Sequence, residues 1–295
     1  MQSALFYGCA TALVTPFREN RIDYDALENL IDWQIDAGID GLVALGTTGE
    51  PAAVTESERP AVIECAVARC ARRVPLIVGA GANDTRTAIR RSMEAELLGA
   101  DALLVVTPYY NKTSQRGLVE HYAAIADSVD IPVIMYNVPG RTGMNLDPRT
   151  AAELARRPNL CAVKEASGSL RQMVDLAAAS GGGLAVYCGN DDQVIPAMAL
   201  GARGVISVAA NIIPAQMHDM AASWLRGDCE RALKLQLEYL GLIRALFMEV
   251  NPIPVKAALA LMGHIENRLR PPLAPLDPAG AEGLRREMKR RGLIE

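Results

Sequence analysis

Eight short apolar segments recur along the chain, and segments with helical spacing separate them; this alternation restricts the fold more than any other feature. The apolar segments are Cys9–Val14, Gly41–Leu45, Leu76–Gly79, Ala102–Thr107, Val133–Tyr136, Cys161–Lys164, Ala185–Cys188 and Gly204–Val208. Such near-continuous apolar runs are typical of parallel strands that are covered on both faces. Eight strands that alternate with eight helices favour an α/β fold, a closed (β/α)8 TIM barrel. An open, doubly wound sheet is the alternative, but no GxGxxG motif follows a strand.

Local signals mark where the helices begin and end. Thr55 and Glu58 have the spacing of a capping box before the second helix, and Ser114 is the predicted N-cap of the fourth. A glycine that follows a helix and precedes a strand recurs at Gly38, Gly99 and Gly201. Glycine adopts the left-handed conformation that ends many helices, so each position predicts a helix-to-strand joint.

The length of the chain accommodates one barrel and a tail. The chain has 295 residues, and 50% of its residues are hydrophobic, whereas a (β/α)8 barrel takes roughly 250 residues. We therefore predict a barrel over residues 1–225 and a helical extension over residues 226–295 that packs on it. Three helices are expected in this extension, at Gly227–Glu249, Pro254–Gly263 and Pro278–Arg291.

Charge and hydropathy exclude several classes of partner. The formal net charge is −4 and the sequence pI is about 5.6, whereas nucleic-acid binders usually carry a basic excess. No apolar run approaches the roughly 20 residues of a membrane-spanning helix. The apolar segment Ala4–Val14 could be a signal-peptide core, but no Lys or Arg precedes it, so we interpret it as the first strand. These features predict a cytoplasmic protein that binds neither nucleic acid nor membranes.

The cysteines do not have the spacing of a metal site or a disulfide framework. They are Cys9, Cys65, Cys70, Cys161, Cys188 and Cys229, and no two form a CxxC pair. We interpret them as small buried hydrophobic residues in a reducing compartment. With only three histidines in the chain, no bound metal is expected.

Polar segments follow several of the predicted strands, at the end of a barrel where active sites lie. They are Gly46-Thr47-Thr48-Gly49-Glu50, Thr107-Pro108-Tyr109-Tyr110-Asn111, Tyr136-Asn137-Val138-Pro139-Gly140-Arg141-Thr142-Gly143 and Lys164-Glu165-Ala166-Ser167-Gly168. Because the strands are parallel, we expect these segments to meet at one mouth.

Lys164 is the most informative residue of this set. It follows Leu160-Cys161-Ala162-Val163, so its stem should emerge beside the barrel core, where an ammonium is poorly hydrated and the neutral amine is favoured. A neutral amine can attack a ketone and form an imine. The alternative is a strand-end lysine that extends to water or pairs with Glu165.

Other polar residues at the predicted mouth fit the same chemistry. Tyr136 could move protons during imine formation, with Thr47 and Tyr110 as a hydroxyl relay; the alternative for Tyr136 is a packed strand aromatic. Gly46 would let backbone N–H groups approach a carboxylate and Thr48 would add a donor, although both could serve only the turn.

Charged residues at the same end have simpler alternatives. Arg141, in a loop bounded by proline and glycine, could bind a substrate carboxylate with both arms of its guanidinium, or be a solvated surface residue. Asn190-Asp191-Asp192 is interpreted as an acidic helix start.

These motifs together resemble those of the dihydrodipicolinate synthase family, which belongs to the superfamily of pyruvate-dependent aldolases and N-acetylneuraminate lyase. The matching segments are Gly46-Thr47-Thr48-Gly49-Glu50, Tyr109-Tyr110-Asn111, Tyr136-Asn137-Val138-Pro139 with Arg141-Thr142, Lys164-Glu165-Ala166, Gly204-Val205-Ile206-Ser207-Val208 and Asn251-Pro252-Ile253-Pro254-Val255-Lys256. The likeness runs from Gly8 to about Pro272. It implies condensation of pyruvate with L-aspartate 4-semialdehyde in lysine and diaminopimelate biosynthesis, without a metal or organic cofactor.

The resemblance also implies roles for single residues. Lys164 would form the imine with pyruvate. Tyr136, Thr47 and Tyr110 would relay protons, with Tyr110 reaching in from a neighbouring subunit of a homo-oligomer, in this family a dimer of dimers. Residues that would hold the substrates are Gly46, Thr48, the Ile206 backbone and, for the aldehyde's carboxylate, Arg141.

The chain departs from the family at the subunit-interface pocket through which lysine inhibits some members. The corresponding positions are Ala52, Glu56, Arg59, Asn83, Thr87 and Tyr109. Thr87 lies where inhibited members bind the lysine ammonium through a carboxylate, and Arg59 lies where a histidine is frequent. The resemblance therefore predicts weak or absent inhibition by lysine.

Three other functions remain open at this point. A related aldolase of the N-acetylneuraminate lyase or 2-keto-3-deoxygluconate type would use the same lysine on a sugar acid. A non-catalytic barrel that binds a carboxylate would have no need of Lys164 or Tyr136. A phosphate-binding isomerase would carry its anion site after the seventh and eighth strands, where Ala209-Ala210-Asn211-Ile212-Ile213-Pro214 lacks glycine.

Overall fold

Residues 4–295 are described in a computed structural model, and eight of their strands close into a parallel barrel. In chain order the strands are β1 (Gly8–Ala12), β2 (Phe17–Arg18), β3 (Arg21–Ile22), β4 (Gly41–Ala44), β5 (Leu76–Gly79), β6 (Ala102–Val106), β7 (Val133–Asn137), β8 (Ala162–Glu165), β9 (Ala185–Cys188) and β10 (Gly204–Ser207). Strands β4 to β10 pair in sequence order and β10 closes on β1, while β2 and β3 form a small antiparallel hairpin that was not predicted. The predicted TIM barrel is confirmed, and the open sheet is wrong.

Helices cover the outside of the barrel, and more follow it. They are α1 (Tyr24–Asp36), α2 (Arg59–Cys70), α3 (Thr85–Leu97), α4 (Gln115–Ala126), α5 (Pro139–Thr142), α6 (Pro148–Leu154), α7 (Leu170–Ser180), α8 (Val194–Ala199), α9 (Pro214–Leu225), α10 (Cys229–Ala245), α11 (Ile253–Leu261) and α12 (Pro278–Arg290). The last three are the helices predicted after residue 226, each within four residues of its predicted bounds.

The local signals act as the sequence indicates. The Ser114 hydroxyl accepts from the N–H of Gly117 at 3.2 Å and caps α4. Thr55 and Glu58 bond reciprocally, at 2.9 and 3.3 Å, immediately before α2 begins at Arg59. The glycines at the three predicted joints have φ values of 87° at Gly38, 97° at Gly99 and 93° at Gly201, a left-handed conformation that few other residues adopt readily.

Side-chain alternation determines what faces the barrel interior. Tyr136 of β7 lies opposite Lys164 of β8, and Ile134 lies opposite Ala162. Ile134, Tyr136 and Ala162 belong to the apolar cluster inside the barrel, together with Tyr187 and residues of the other strands. Because residues i and i+2 of a strand share a face, Lys164 points into the same interior as Ala162.

The segment after the barrel docks on the mouth. In α11 the Lys256 ammonium donates to Glu50 at 2.6 Å and to the Thr15 carbonyl at 2.9 Å. Arg270 donates to the Glu58 carboxylate through both terminal guanidinium nitrogens, from Nη2 at 2.6 Å and from Nη1 at 2.7 Å. We therefore propose that residues 226–295 act as an extension of the barrel of residues 1–225 rather than as an independent domain.

Two predictions from composition concern the N-terminal segment and the cysteines. Residues 8–12 form β1 as expected, and among residues 4–295 no helix is long and apolar enough to cross a membrane. All six cysteines are free thiols; Cys65 is only partly buried, and Cys229 is exposed. The prediction of burial is wrong there because Cys229 is the first residue of α10, where the helix end faces solvent.

Candidate active site

Lys164 is a buried amine that has no ionic partner in the described part of the chain. Its residue is 5% exposed, and its Nζ lies 4.6 Å from the centroid of the Tyr136 ring. Within residues 4–295 the ammonium makes no hydrogen bond and no ion pair. A buried amine that no carboxylate holds is available to react with a small carbonyl compound.

The pairing of Lys164 with Glu165, the alternative considered from the sequence, does not occur. Glu165 follows Lys164 in β8 and therefore faces the opposite side of the strand. Its carboxylate accepts from the Asn137 amide at 2.8 Å and from the Ser167 N–H at 2.6 Å. These bonds hold the Glu165 carboxylate outside the barrel interior, so it does not pair with the Lys164 amine inside.

Space for the Lys164 stem comes from Gly189, a residue that the sequence analysis did not single out. A Cβ atom there would lie 3.1 Å from Lys164 Cε and 2.5 Å from Ala166 Cβ. The position directly follows β9, which pairs with β8. A glycine at the end of the strand beside the reactive lysine is the signal that could have identified it.

Two adjoining cavities open at the mouth. A small one of about 50 Å³ is lined by Gly46, Thr47, Gly79 and Tyr136 among others. It shares Thr47 with a wide cleft of about 720 Å³ that Arg141 also lines. The small cavity depends on bare backbone, because a Cβ on Gly79 would lie 1.9 Å from the Leu45 carbonyl oxygen. A small acid could therefore enter beside Tyr136 while a second substrate occupies the cleft.

The turn after β4 lies beside these cavities, and its Thr47 lines both. A single helical turn covers Thr47–Gly49, and its first internal bond runs from the Gly49 N–H to the Gly46 carbonyl at 2.9 Å. The N–H groups of Thr47 and Thr48 precede that bond, so the turn leaves them available to an anion. The Thr48 side chain is buried and accepts from the Asn251 amide at 3.0 Å.

Arg141 lies at the edge of the cleft, in α5. Its Nη2 donates to the Asn251 carbonyl at 3.1 Å, and the residue is exposed. A guanidinium has five N–H donors, so this contact leaves donors for a ligand carboxylate. Asn251 therefore contacts both predicted carboxylate-binding residues, although the sequence analysis assigned it no role.

Of the predicted site residues, Ile206 lies inside the barrel, whereas Tyr110 is exposed at the surface. Ile206 is buried in β10 opposite Ala10, in the same interior cluster as Tyr136. Tyr110 follows β6 with φ +70° and is 91% exposed, and it lines neither cavity at the mouth. Within one chain the structure does not bring Tyr110 to Lys164.

The acidic segment after β9 begins a helical turn as predicted, but one of its carboxylates has a different partner. Asp191 is buried and accepts from the N–H groups of Val208 and Ala209, at 3.0 and 2.8 Å. Burial raises the pKa of this carboxyl. These N–H groups follow β10, where a phosphate-binding barrel would hold its anion. Because a protein carboxylate already takes them, the segment does not fit a phosphate site.

The predicted effector pocket is dominated by arginine. Arg59 is buried and donates to the Gly79 carbonyl at 2.8 Å; burial lowers its pKa to about 10, so it remains a cation at neutral pH. Glu56 pairs with Arg90 at 2.9 Å and also with Arg91, which lines the cleft. Glu56 is the one acidic residue among the six predicted effector residues. Its ion pairs with the two arginines therefore already neutralise the carboxylate that could have bound a lysine ammonium.

Of the other predicted effector residues, two line the cleft, and Asn83 and Thr87 do not. Ala52 and Tyr109 line it. The Thr87 N–H and hydroxyl both bind the Asp84 carboxylate, at 2.9 and 2.8 Å, and the Asn83 carbonyl accepts from Asn111 at 2.8 Å. Thr87 is therefore bonded to Asp84, the N-cap of α3, and its side chain carries no charge that could bind an ammonium.

Comparison with known proteins gives the family. Residues 5–291 match the Dihydrodipicolinate synthetase family. The chain belongs to this family. A 4-hydroxy-tetrahydrodipicolinate synthase of Lachnoclostridium phytofermentans is 51% identical over 293 residues, which cover 99% of this chain and 100% of the relative. The predicted family membership is confirmed.

Solved structures of the dihydrodipicolinate synthetase family have the same fold. A chloride-inhibited dihydrodipicolinate synthase from Acinetobacter baumannii, complexed with pyruvate, is 44% identical, with a TM-score of 0.96 over 98% of this chain and 99% of that one. A relative from Cyanidioschyzon merolae with lysine bound is 38% identical, with a TM-score of 0.96 over 99% of this chain and 100% of the other. Family members thus include one solved with pyruvate and one with lysine.

Proposed function

We propose that this protein condenses pyruvate with L-aspartate 4-semialdehyde to 4-hydroxy-tetrahydrodipicolinate, in the cytoplasm, as a step of lysine and diaminopimelate biosynthesis. The observation that carries the proposal is the Lys164 amine, which is buried beside Tyr136 and forms no ion pair with any residue from 4 to 295. Family membership and relatives named for this activity support it. Arg141 at the cleft favours a small acidic aldehyde over a sugar acid, whose hydroxyls need neutral partners.

The chemistry follows from the amine. Lys164 Nζ attacks C2 of pyruvate, and loss of water leaves a protonated imine. The imine takes up the electron pair when a C3 proton leaves, so an enamine forms without a metal or organic cofactor. C3 of the enamine then attacks the aldehyde carbon, and the second substrate's amino group attacks C2 and displaces Lys164. Ring closure thereby releases the product and restores the free amine.

Protein groups at the mouth would hold and protonate these intermediates. The Thr48 hydroxyl, the backbone after Gly46 and the Ile206 backbone would hold the pyruvate carboxylate, and Arg141 would hold that of the aldehyde. Tyr136 and Thr47 line the small cavity and would carry protons to and from the imine nitrogen and oxygen atoms. Tyr110 would complete this relay from a second copy of the chain.

Borohydride reduction in the presence of pyruvate tests the proposal directly. The imine should be trapped as a stable adduct on Lys164, which peptide mass mapping locates. Assays with aspartate semialdehyde, N-acetylneuraminate and 2-keto-3-deoxygluconate then compare the substrates of related aldolases. An adduct on another residue, or turnover of a sugar acid alone, would contradict the proposal.

The proposed contribution of Tyr110 has its own test, because it requires two copies of the chain. Lys164→Ala and Tyr110→Phe would each be inactive or nearly so, and mixing them with subunit exchange should restore about one quarter of the sites in a closed dimer. In a mixed dimer, only the site on the Tyr110→Phe chain is complete, because it combines its own Lys164 with Tyr110 from the Lys164→Ala chain. A mixture no more active than its components would refute the shared site. The further assembly into a dimer of dimers is a proposal that sedimentation would test.

We also propose that lysine inhibits this protein weakly or not at all. Among the six predicted effector residues, Arg59 is a buried cation, Thr87 is neutral and Glu56 is already paired with Arg90 and Arg91, so none offers a free carboxylate to an ammonium. Inhibition should stay below one half at lysine concentrations that saturate an inhibited relative. Strong inhibition at low lysine would contradict this.

A further inference from the structure

We propose that Asn251, in the extension, is a positioning residue that orients the Thr48 hydroxyl toward the pyruvate carboxylate. The inference rests on the proposed function and adds a residue to it. Asn251 lies 203 positions along the chain from Thr48, and its side-chain amide donates to Thr48 Oγ1 at 3.0 Å. The sequence motif that begins at Asn251 has no other part in the proposed chemistry.

The direction of this hydrogen bond determines what Thr48 can do. A hydroxyl has one hydrogen to donate and two lone pairs that accept. Because Oγ1 accepts from Asn251, its own hydrogen remains available, and Thr48 Oγ1 makes no other hydrogen bond within residues 4–295. Thr48 can thus act toward an anion as a donor, as a carboxylate requires.

Stability alone does not account for an asparagine at this position. Asn251 is 5% exposed, and its Oδ1 is buried without a hydrogen-bond partner in the described part of the chain. A buried polar atom without a partner destabilises the fold. An apolar residue of similar size would avoid that cost, so the amide contributes something other than packing.

The main chain of the same residue has a second contact. The Asn251 carbonyl accepts from Arg141 Nη2 at 3.1 Å. Side-chain substitutions leave this carbonyl in place. The two predicted carboxylate-binding residues can therefore be separated experimentally, since the side chain acts on Thr48 and the main chain on Arg141.

The test is a double-mutant cycle with Asn251→Leu, which keeps the size and removes the donor, and Thr48→Val. Borohydride trapping at increasing pyruvate gives the half-saturating concentration for each protein. Asn251→Leu should raise this concentration about five- to tenfold, the loss of one hydrogen bond that matters to binding. In the Thr48→Val background the same change should have less than about a twofold effect, because the two residues act as one unit.

Several readouts separate positioning from a structural role. The Michaelis constant for the aldehyde should change less than about twofold, since the Arg141 contact is to the main chain, and the melting temperature of Asn251→Leu should not fall. Asn159→Leu is the matched control: the side-chain amide of Asn159 also donates to protein oxygens, the carbonyls of Ala126 and Val129, but at the opposite end of the barrel. It should leave the half-saturating pyruvate concentration unchanged.

A second variant keeps the inference testable if Asn251→Leu fails to fold. In Asn251→Asp the new carboxylate would accept the Thr48 hydrogen and turn the hydroxyl away from substrate. Asn251→Asp should then weaken pyruvate binding more than Asn251→Leu does. The effect of Asn251→Asp should be smaller in the Thr48→Val background than in the wild type. Additive effects in either cycle, or wild-type binding in Asn251→Asp, would overturn the role of Asn251. Absence of any pyruvate adduct in the wild type would instead overturn the proposed function.

Discussion

Two lysines are buried in this protein, one in the barrel and one in the extension, and their surroundings suit them to different functions. Lys164 in β8 is unpaired beside the Tyr136 ring. Lys256 in α11 is fully buried, with Glu50 at 2.6 Å, the Thr15 carbonyl at 2.9 Å and the Phe17 ring centroid at 4.1 Å. Burial is common to both, so burial alone does not make a lysine reactive.

The partners of each ammonium explain the difference. Burial lowers the pKa of Lys256 to about 8, and the Glu50 carboxylate opposes this shift. Two of its N–H groups donate to fixed oxygens, so an attack on a carbonyl would first have to break a buried ion pair. Lys164 has no such bonds to lose. We infer that Lys256 anchors the extension while Lys164 reacts.

The same substitution at both lysines gives the largest contrast. Lys164→Met keeps most of the stem and removes the amine, so we expect activity to fall roughly 10,000-fold or more, with no borohydride adduct. The free energy of unfolding should change by less than about 1–2 kcal/mol, because no ion pair is broken. Residual turnover within tenfold of the wild type would show that another group carries the chemistry.

Lys256→Met should have the opposite profile. It leaves the buried Glu50 carboxylate unpaired, which costs about 3–5 kcal/mol. Chemical denaturation would measure this loss. At a temperature where the variant is folded, pyruvate should still be trapped on Lys164. Lys256→Met combined with Glu50→Gln removes both charges and should recover part of the stability; if it recovers none, the ion pair is not what anchors the extension.

The sequence predicted one of these lysines and not the other, for a physical reason. Strand periodicity and the polar segments after the fifth and sixth barrel strands placed Tyr136 and Lys164 at the mouth without any tertiary information. The contacts of Lys256 and Asn251 join residues more than 200 positions apart. No local pattern encodes how the extension docks on the barrel, so their partners could be identified only in the structure.

Other residues escaped prediction for related reasons. Gly189 matters because a Cβ atom at this position would lie only 3.1 Å from Lys164 Cε. This distance is determined by how two neighbouring strands pack. Asp191 accepts from backbone N–H groups that follow β10, and the local sequence around Asp191 could not indicate these partners. The place of Tyr110 needs a second chain, which neither the sequence nor one barrel supplies.

Gly189→Ala tests how finely the Lys164 amine is placed. The added methyl must displace Lys164 Cε or Ala166 Cβ, and small misplacements of reacting groups cost roughly tenfold to 100-fold in rate. We expect kcat to fall by about this factor and stability to fall by about 1–3 kcal/mol from overpacking. As a control, Gly181→Ala adds a Cβ that meets nothing within 4 Å, at φ +54°, and should leave kcat unchanged. Equal kcat values for the two variants would mean that Lys164 does not depend on Gly189.

The smallest expected effect concerns acid and the same anchoring region as Lys256. Hydrogen bonds from Arg270, chiefly, lower the pKa of Glu58 from the usual 4.5 to about 2. Because the folded-state pKa is depressed, the pair stabilises the fold fully above about pH 4.5 and loses its effect as the pH falls toward 2. Glu58→Gln keeps an oxygen for the Thr55 cap and removes the charge, so it should cost about 1 kcal/mol at pH 6. Melting curves from pH 6 to 2.5 should show the two proteins converging in acid, whereas a difference independent of pH would assign the loss to packing rather than to charge.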